Sequence, residues 1–258
     1  MKIFIGYDQR EPEAYRVASQ SMLRRATIPV SITALRADRL AAAGLLRRPV
    51  DVRGGLYDIH SNAPCSTEFA ISRFLVPILA QYGWALFVDC DVVFLGDIAE
   101  LCGYMDESKA VMVVKHEHAP SHDTKMDGVP QTAYARKNWS SVMLFNCGHP
   151  ANMRLSLQDV QERPGRDLHR FYWLHDSEIG ELPAEWNWLV GCAPKPAVPR
   201  LAHFTLGGPF IDGWKPADQD EIWLAEYDWC RRWASDDLGA VSDVDALFAD
   251  MGRWGSLK

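Results

Sequence analysis

No apolar run in the chain is long enough to cross a bilayer. None at the start has the length of a secretion signal either, because Met1-Lys2-Ile3-Phe4-Ile5 meets Gly6, Tyr7 and Asp8 at once. Basic charge is also scarce. A formal net charge of −7 leaves no surplus for a phosphate-binding face, which argues against nucleic acid as the main partner while leaving room for a locally basic pocket. The cysteines (Cys65, Cys90, Cys102, Cys147, Cys192, Cys230) lack the spacing of a metal site and read as reduced, buried thiols of a cytoplasmic protein. No repeat, low-complexity tract or Pro/Gly/Ser-rich linker divides the chain, and Pro194, Pro196 and Pro199 only mark an irregular loop. With 48% hydrophobic residues, one domain over 1–258 is expected, ending in a Trp-rich helical segment at about 217–258.

What is present is an alternation of strand and helix patterns, which predicts an α/β sheet with helices on its faces. Lys2 to Tyr7 reads as the first strand. A helix follows, entered at Pro12, with Tyr15, Ala18 and Met22 on one face and Arg24 and Arg25 at its basic end. Val30 to Leu35 returns as a strand, and a polar loop runs through Asn62. Ser66 and Thr67 are cap candidates for a helix carrying Glu68 in its first turn and Ile71, Leu75, Ile78 and Leu79 on one face, kinked or shortened by Pro77. Trp84 to Leu95, Ala110 to Val114 and Val142 to Phe145 are further strands, and polar residues 117–137 form a long functional loop or lid. The last helix, Gln219 to Trp233, places Ile222, Trp223, Tyr227, Cys230 and Trp233 on roughly one face that docks on the core.

Two carboxylates interrupt the most apolar of these strands, in Leu86-Phe-Val-Asp-Cys-Asp-Val-Val-Phe-Leu95. Alternation along a strand points Asp89 and Asp91 the same way. Two like charges so close cost several kcal/mol when buried unless a cation lies between them, so the pair reads as a clamp for a divalent metal. The plainer alternative is a strand-end turn with capping carboxylates.

Several segments together resemble the glycogenin-like and lipopolysaccharide-galactosyltransferase-like enzymes, family 8 of the glycosyltransferases, from the first strand to about Lys215. They are Phe87-Val-Asp-Cys-Asp91 as an Asp-x-Asp motif, Asp176-Ser-Glu-Ile179 with Leu182-Pro-Ala-Glu-Trp-Asn187, and His203-Phe-Thr-Leu-Gly207. The resemblance implies a GT-A fold: a single α/β, Rossmann-like nucleotide-diphospho-sugar transferase domain with a mixed central sheet flanked by helices. It also implies metal-dependent, retaining transfer of a sugar from a nucleotide donor, usually UDP-linked, to a glycan or other hydroxyl acceptor. Asp89, Asp91 and His203 would then hold Mn²⁺ or Mg²⁺. Two carboxylates suit either ion and the imidazole favours Mn²⁺.

The same resemblance puts Gly6, Tyr7 and Asp8 at the nucleotide, with Tyr7 stacking on the base, and brings Arg73 and Asp89 to the donor. Asp176 would lie close to the transferred sugar, and Ser140, Ser141 and Asn187 would border the sugar or acceptor. Each has a plainer alternative: a core histidine for His203, a helix-surface arginine for Arg73, an N-cap for Asp176. Two features depart from the family. Pro209 and Phe210 occupy the register of its diphosphate lysine, so Lys215 of Trp214-Lys-Pro216 would supply that charge from a shifted loop, and the stretch from Asp176 to Leu182 is short. Competing readings are a haloacid-dehalogenase-like phosphatase, which also uses Asp-x-Asp with a metal, and a sugar-nucleotide or glycan-binding protein without turnover, in which Trp186 and Trp188 stack on sugar rings.

Overall fold

The computed structural model describes residues 1–52, 54–116, 136 and 139–233, with the backbone of 241–243. The expected lid, 117–137, lies outside the described residues apart from Arg136.

The first strand, β1 (Lys2–Gly6), passes into α1 (Pro12–Arg25), which starts at Pro12 and ends at Arg24 and Arg25. Then come β2 (Ser31–Leu35), a short α2 (Ala37–Ala42) and three two-residue strands, β3 (Val50–Asp51), β4 (Tyr57–Asp58) and β5 (Ala63–Pro64), paired antiparallel in their own small sheet. This sheet replaces the featureless polar loop expected there, and its strands are too short to leave a periodic pattern. It is pinned by Asp58, which pairs with Arg48 and accepts from Ser61, all three at least half withdrawn from solvent.

The expected helix from Ser66 does not form as one piece. A 3₁₀ turn over Ser72–Leu75 leads into α3 (Val76–Ala80), with Pro77 in its first turn, where a missing N–H costs nothing. The backbone N–H of Glu68 donates instead to Asp8 Oδ2 at 3.1 Å, which ties this segment to the end of β1.

After α3 come β6 (Trp84–Val88), β7 (Val92–Phe94), β8 (Val111–Val113), β9 (Val142–Asn146), α4 (Leu157–Glu162), α5 (Gly165–His169), β10 (Ile179–Glu181), β11 (Trp188–Leu189), β12 (Leu201–His203), α6 (Asp220–Trp233) and β13 (Val241–Asp243). The central sheet runs β10-β8-β9-β6-β1-β2-β13, with β9 antiparallel to its neighbours and the other pairs parallel. It is therefore mixed, as expected. Its strands β1, β6, β8 and β9 are buried on both faces and read as continuous apolar runs such as Ile3-Phe4-Ile5 and Leu86-Phe87-Val88.

The single strand expected over Trp84–Leu95 is two. β6 lies in the central sheet, whereas β7 pairs antiparallel with β12 in a separate sheet ordered β11-β12-β7. Ser21 of α1 accepts from the Phe94 N–H at 3.0 Å and holds β7 in place. Asp89, Cys90 and Asp91 form the bend between the sheets, since two carboxylates cannot be buried in an apolar layer and the chain turns them outward.

Helix α6 packs on α1 and on β7, burying Trp223 and Cys230 beside Val17, Val93 and Trp188. Glu226 is buried in this contact and pairs with both Arg24 and Arg25. Trp233, expected on the docking face, is 73% exposed, one turn beyond the last buried position, Cys230. The cysteines also divide differently: Cys90, Cys147 and Cys230 are buried, but Cys102 and Cys192 are exposed.

Candidate metal centre

Asp89 and Asp91 leave the bend toward His203, the last residue of β12, whose register partner is Val92. The Phe204 N–H donates to the Asp91 carbonyl at 2.9 Å, locking β12 against the bend. One potential ligand atom from each of Asp89, Asp91 and His203 lies within 4.8 Å of the others. His203, distant in sequence, is brought to the two aspartates by the pairing of β12 with β7.

The tautomer of His203 follows from its partners. Asn187, fully buried, donates through Nδ2 to Ser141 Oγ at 2.9 Å, which turns its Oδ1 toward His203 Nδ1, also 2.9 Å away. An amide oxygen only accepts, so Nδ1 carries the proton and the Nε2 lone pair faces the carboxylates. Nε2 lies 3.2 Å from Asp91 Oδ1 and 4.0 Å from Asp89 Oδ2. Asp91 Oδ1 is buried with no hydrogen-bond donor. Three acceptors converging on one point, with Asp91 Oδ1 lacking a donor, fit a divalent cation, and a hydrogen-bond acceptor behind the imidazole, here Asn187 Oδ1, is the usual outer support of a metal-binding histidine. Asn187→Leu keeps the volume and releases the ring, so Mn²⁺ affinity measured by calorimetric titration should fall roughly 10- to 100-fold. Unchanged affinity would mean that Asn187 does not orient His203.

Arg73 is buried and is not a surface arginine. Its Nη1 lies 2.8 Å from Asp89 Oδ1 and donates to the Ser140 carbonyl at 2.8 Å, while the guanidinium sits over the rings of Phe69 and Phe87. The Asp89 N–H donates to the Ser141 carbonyl at 3.0 Å. Ser140 and Ser141 thus form the wall behind the group, Ser140 through its backbone to Arg73 and its hydroxyl to His169 Nδ1 at 2.7 Å.

At the end of β1, Gly6 leaves space that a Cβ would fill at 2.4 Å from the Phe69 ring, so glycine is required for this packing. Tyr7 meets Tyr15 edge-on and lies under the Arg36 guanidinium. Asp8 is fully buried and engaged internally: Oδ1 accepts from Arg10 N and Nε, and Oδ2 from Arg10 Nη2 and Glu68 N. Burial pushes its carboxyl upward, but these donors outweigh burial and hold it below the usual carboxylate range.

Asp176 is not one of the clustered residues, and its side chain is 90% exposed and paired with Arg136. It is not an N-cap, since His175 holds that position. Lys215 is exposed in the loop before α6. Trp186 and Trp188 are buried to within 2% and fill the core, so neither offers a ring to a sugar.

Glu11 was not foreseen, although it follows Gly6-Tyr7-Asp8 closely. Burial, with the charges of Asp91 and Asp8, raises its pKa to about 7, and the Cys90 thiol donates to Oε2 at 3.8 Å. Burial and the surrounding carboxylates push that thiol well up. The folded chain therefore keeps the Glu11 proton to higher pH than the unfolded chain, and this site loses stability as pH rises from about 4.5 through about 7. Without divalent metal, Glu11→Gln should be neutral near pH 4 and stabilising at pH 8 by roughly 2 kcal/mol. A pH-independent difference in unfolding free energy would contradict the shift.

The chain is similar to several solved glycosyltransferases. It aligns with the galactosyltransferase LgtC, solved with donor and acceptor sugar analogs, at a TM-score of 0.57 and 14% identity, over 93% of this chain and 100% of that one. It aligns with the bifunctional glycosyltransferase WbbM at 0.56 and 16%, over 88% of this chain and 49% of that one. With GlyE of Streptococcus pneumoniae TIGR4 the values are 0.51 and 10%, over 97% and 63%. The chain therefore spans about half of WbbM and under two thirds of GlyE. These likenesses, with the mixed sheet and the Asp-Asp-His group, define the GT-A fold of glycosyltransferases. By sequence the chain belongs to the family of Protein CDI of Arabidopsis thaliana, with 46% identity over 231 residues, 87% of this chain and 85% of that protein. No protein-family model matches it.

Proposed function

We propose that the protein is a metal-dependent, retaining glycosyltransferase of the family-8 type, moving a sugar from a UDP-linked donor to a hydroxyl acceptor. The observation that carries this reading is the convergence of Asp89, Asp91 and the Asn187-oriented His203 on one point of a GT-A fold. When bound there, Mn²⁺ or Mg²⁺ supplies Lewis acidity toward the diphosphate of the leaving nucleotide. Arg73 sets the position of Asp89 and adds positive charge on the donor side, and Lys215 adds charge from the loop before α6. Gly6 and Tyr7 border the base, while Asp8 acts indirectly by holding Arg10 and the 68–73 segment. Ser141 and Asn187 act through His203, Ser140 through Arg73. Asp176, held by Arg136, borders the transferred sugar and is the carboxylate offered to that side of the reaction.

Residues 1–258 act as one domain in this reading, supported by α6 packing on α1 and by β13 joining the central sheet beside β2. No helix among the described residues is long and apolar enough to cross a membrane, and all six cysteines are free; a cytoplasmic setting is proposed on the thiols. The fold offers no support for the phosphatase reading. Incubation with Mn²⁺ and a panel of UDP-sugars should release UDP and give a product that keeps the anomeric configuration of the donor, read by NMR. Release of inorganic phosphate from an aryl phosphate, with no UDP from any donor, would overturn the proposal.

A further inference from the structure

His116 leaves the end of β8 beside the metal group, and no role has been assigned to it. β8 pairs with β9 through Val113 and Met143, so the residues just beyond β8 run alongside those that enter β9. The His116 carbonyl accepts from the Trp139 indole at 3.2 Å, and the next residues, Ser140 and Ser141, hold Arg73 and the Asp89 backbone. That bond ties the His116 backbone to the wall of the site. Its Nε2 is buried and has no hydrogen-bond partner among the described residues. Leaving such an atom unpaired is destabilising, a cost relieved only when something arrives to pair with it.

The missing partner is not the metal, because among the described residues the converging ligand atoms belong to Asp89, Asp91 and His203 alone. We propose that His116 is a substrate-binding residue whose Nε2 hydrogen-bonds a hydroxyl of the sugar being transferred. A diphosphate calls for positive charge, which Arg73 already brings. An imidazole held uncharged suits a hydroxyl, which can both donate and accept. Burial, with His203 nearby, lowers the His116 pKa to about 4 and so supports an uncharged ring.

This inference rests on the transferase reading and is tested by binding, not turnover. Calorimetry with Mn²⁺ compares UDP with UDP-glucose, UDP-galactose and UDP-N-acetylglucosamine on the unmutated chain, His116→Phe and His116→Gln. Phe keeps the ring volume without the nitrogen, and the other hydrogen bond here is made by the backbone. His116→Phe should bind UDP within twofold of the unmutated chain and bind the preferred UDP-sugar about tenfold more weakly. His116→Gln should recover part of the loss. Unchanged UDP-sugar affinity in His116→Phe overturns this inference and leaves the transferase reading standing. An equal loss for UDP and UDP-sugar also overturns it, since His116 would then only brace the wall. If the unmutated chain binds no nucleotide with Mn²⁺, the transferase reading fails and this inference fails with it.

Discussion

Asp91→Asn should cut sugar transfer by at least ~100-fold, about 3 kcal/mol of lost transition-state stabilisation, with the fold intact. The substitution is nearly isosteric. It removes charge at a carboxylate oxygen that is buried without a hydrogen-bond donor, 3.2 Å from His203 Nε2. In the absence of metal the variant should be no less stable, since the two acceptors now oppose each other less. Initial rates with the preferred UDP-sugar and Mn²⁺, beside unfolding in chelator, separate the two effects. A rate near that of the unmutated protein would remove Asp91 from the metal site.

The second large effect is expected at Arg73. In chelator its guanidinium lies 2.8 Å from Asp89, and it is largely withdrawn from water over Phe69 and Phe87. Arg73→Met fills similar volume but removes this buried pairing from Asp89, which sits beside Asp91. Breaking a buried pair by removing one partner costs on the order of 3 kcal/mol, about 6 to 12 °C in midpoint for a chain of this size. Because bound Mn²⁺ would neutralise the same carboxylate, the loss should shrink when Mn²⁺ is added. An equal loss with and without Mn²⁺ would show that Asp89 does not meet the metal.

Strands β1, β2, β6, β8 and β9 of the central sheet were legible because they are buried and their apolar runs survive in sequence, as in Ile3-Phe4-Ile5, Val111-Met112-Val113 and Val142 to Phe145, whereas β10 and β13 were not anticipated. α1 was legible from Pro12, its apolar face and its basic end. The break at Asp89 was not, because β6 and β7 are equally apolar and only their pairing partners, β1 and β9 against β12, tell them apart. The small sheet β3-β4-β5 was hidden by strands of two residues, while Pro77, expected to kink or shorten its helix, stands in the first turn of α3, which is 5 residues long.

At the site, the converging trio was visible as motifs, but the parts that orient it were not. Asn187 carried a signal, its place in Leu-Pro-x-x-Trp-Asn, yet its contact with His203 is a tertiary fact. Glu226 shows the same limit. An acid on the apolar face of α6 looks out of place until Arg24 and Arg25 arrive from α1. Asp8 reads in sequence as a nucleotide-side residue, and its engagement is equally tertiary: Arg10, two residues on, closes over its carboxylate.

The most direct test of the metal-bound nucleotide is calorimetric titration of UDP into the protein, once with Mn²⁺ and once in chelator. Binding that appears only with Mn²⁺, and is lost in Asp91→Asn, is the predicted result. UDP binding of equal strength in chelator, or none under either condition, would contradict the account.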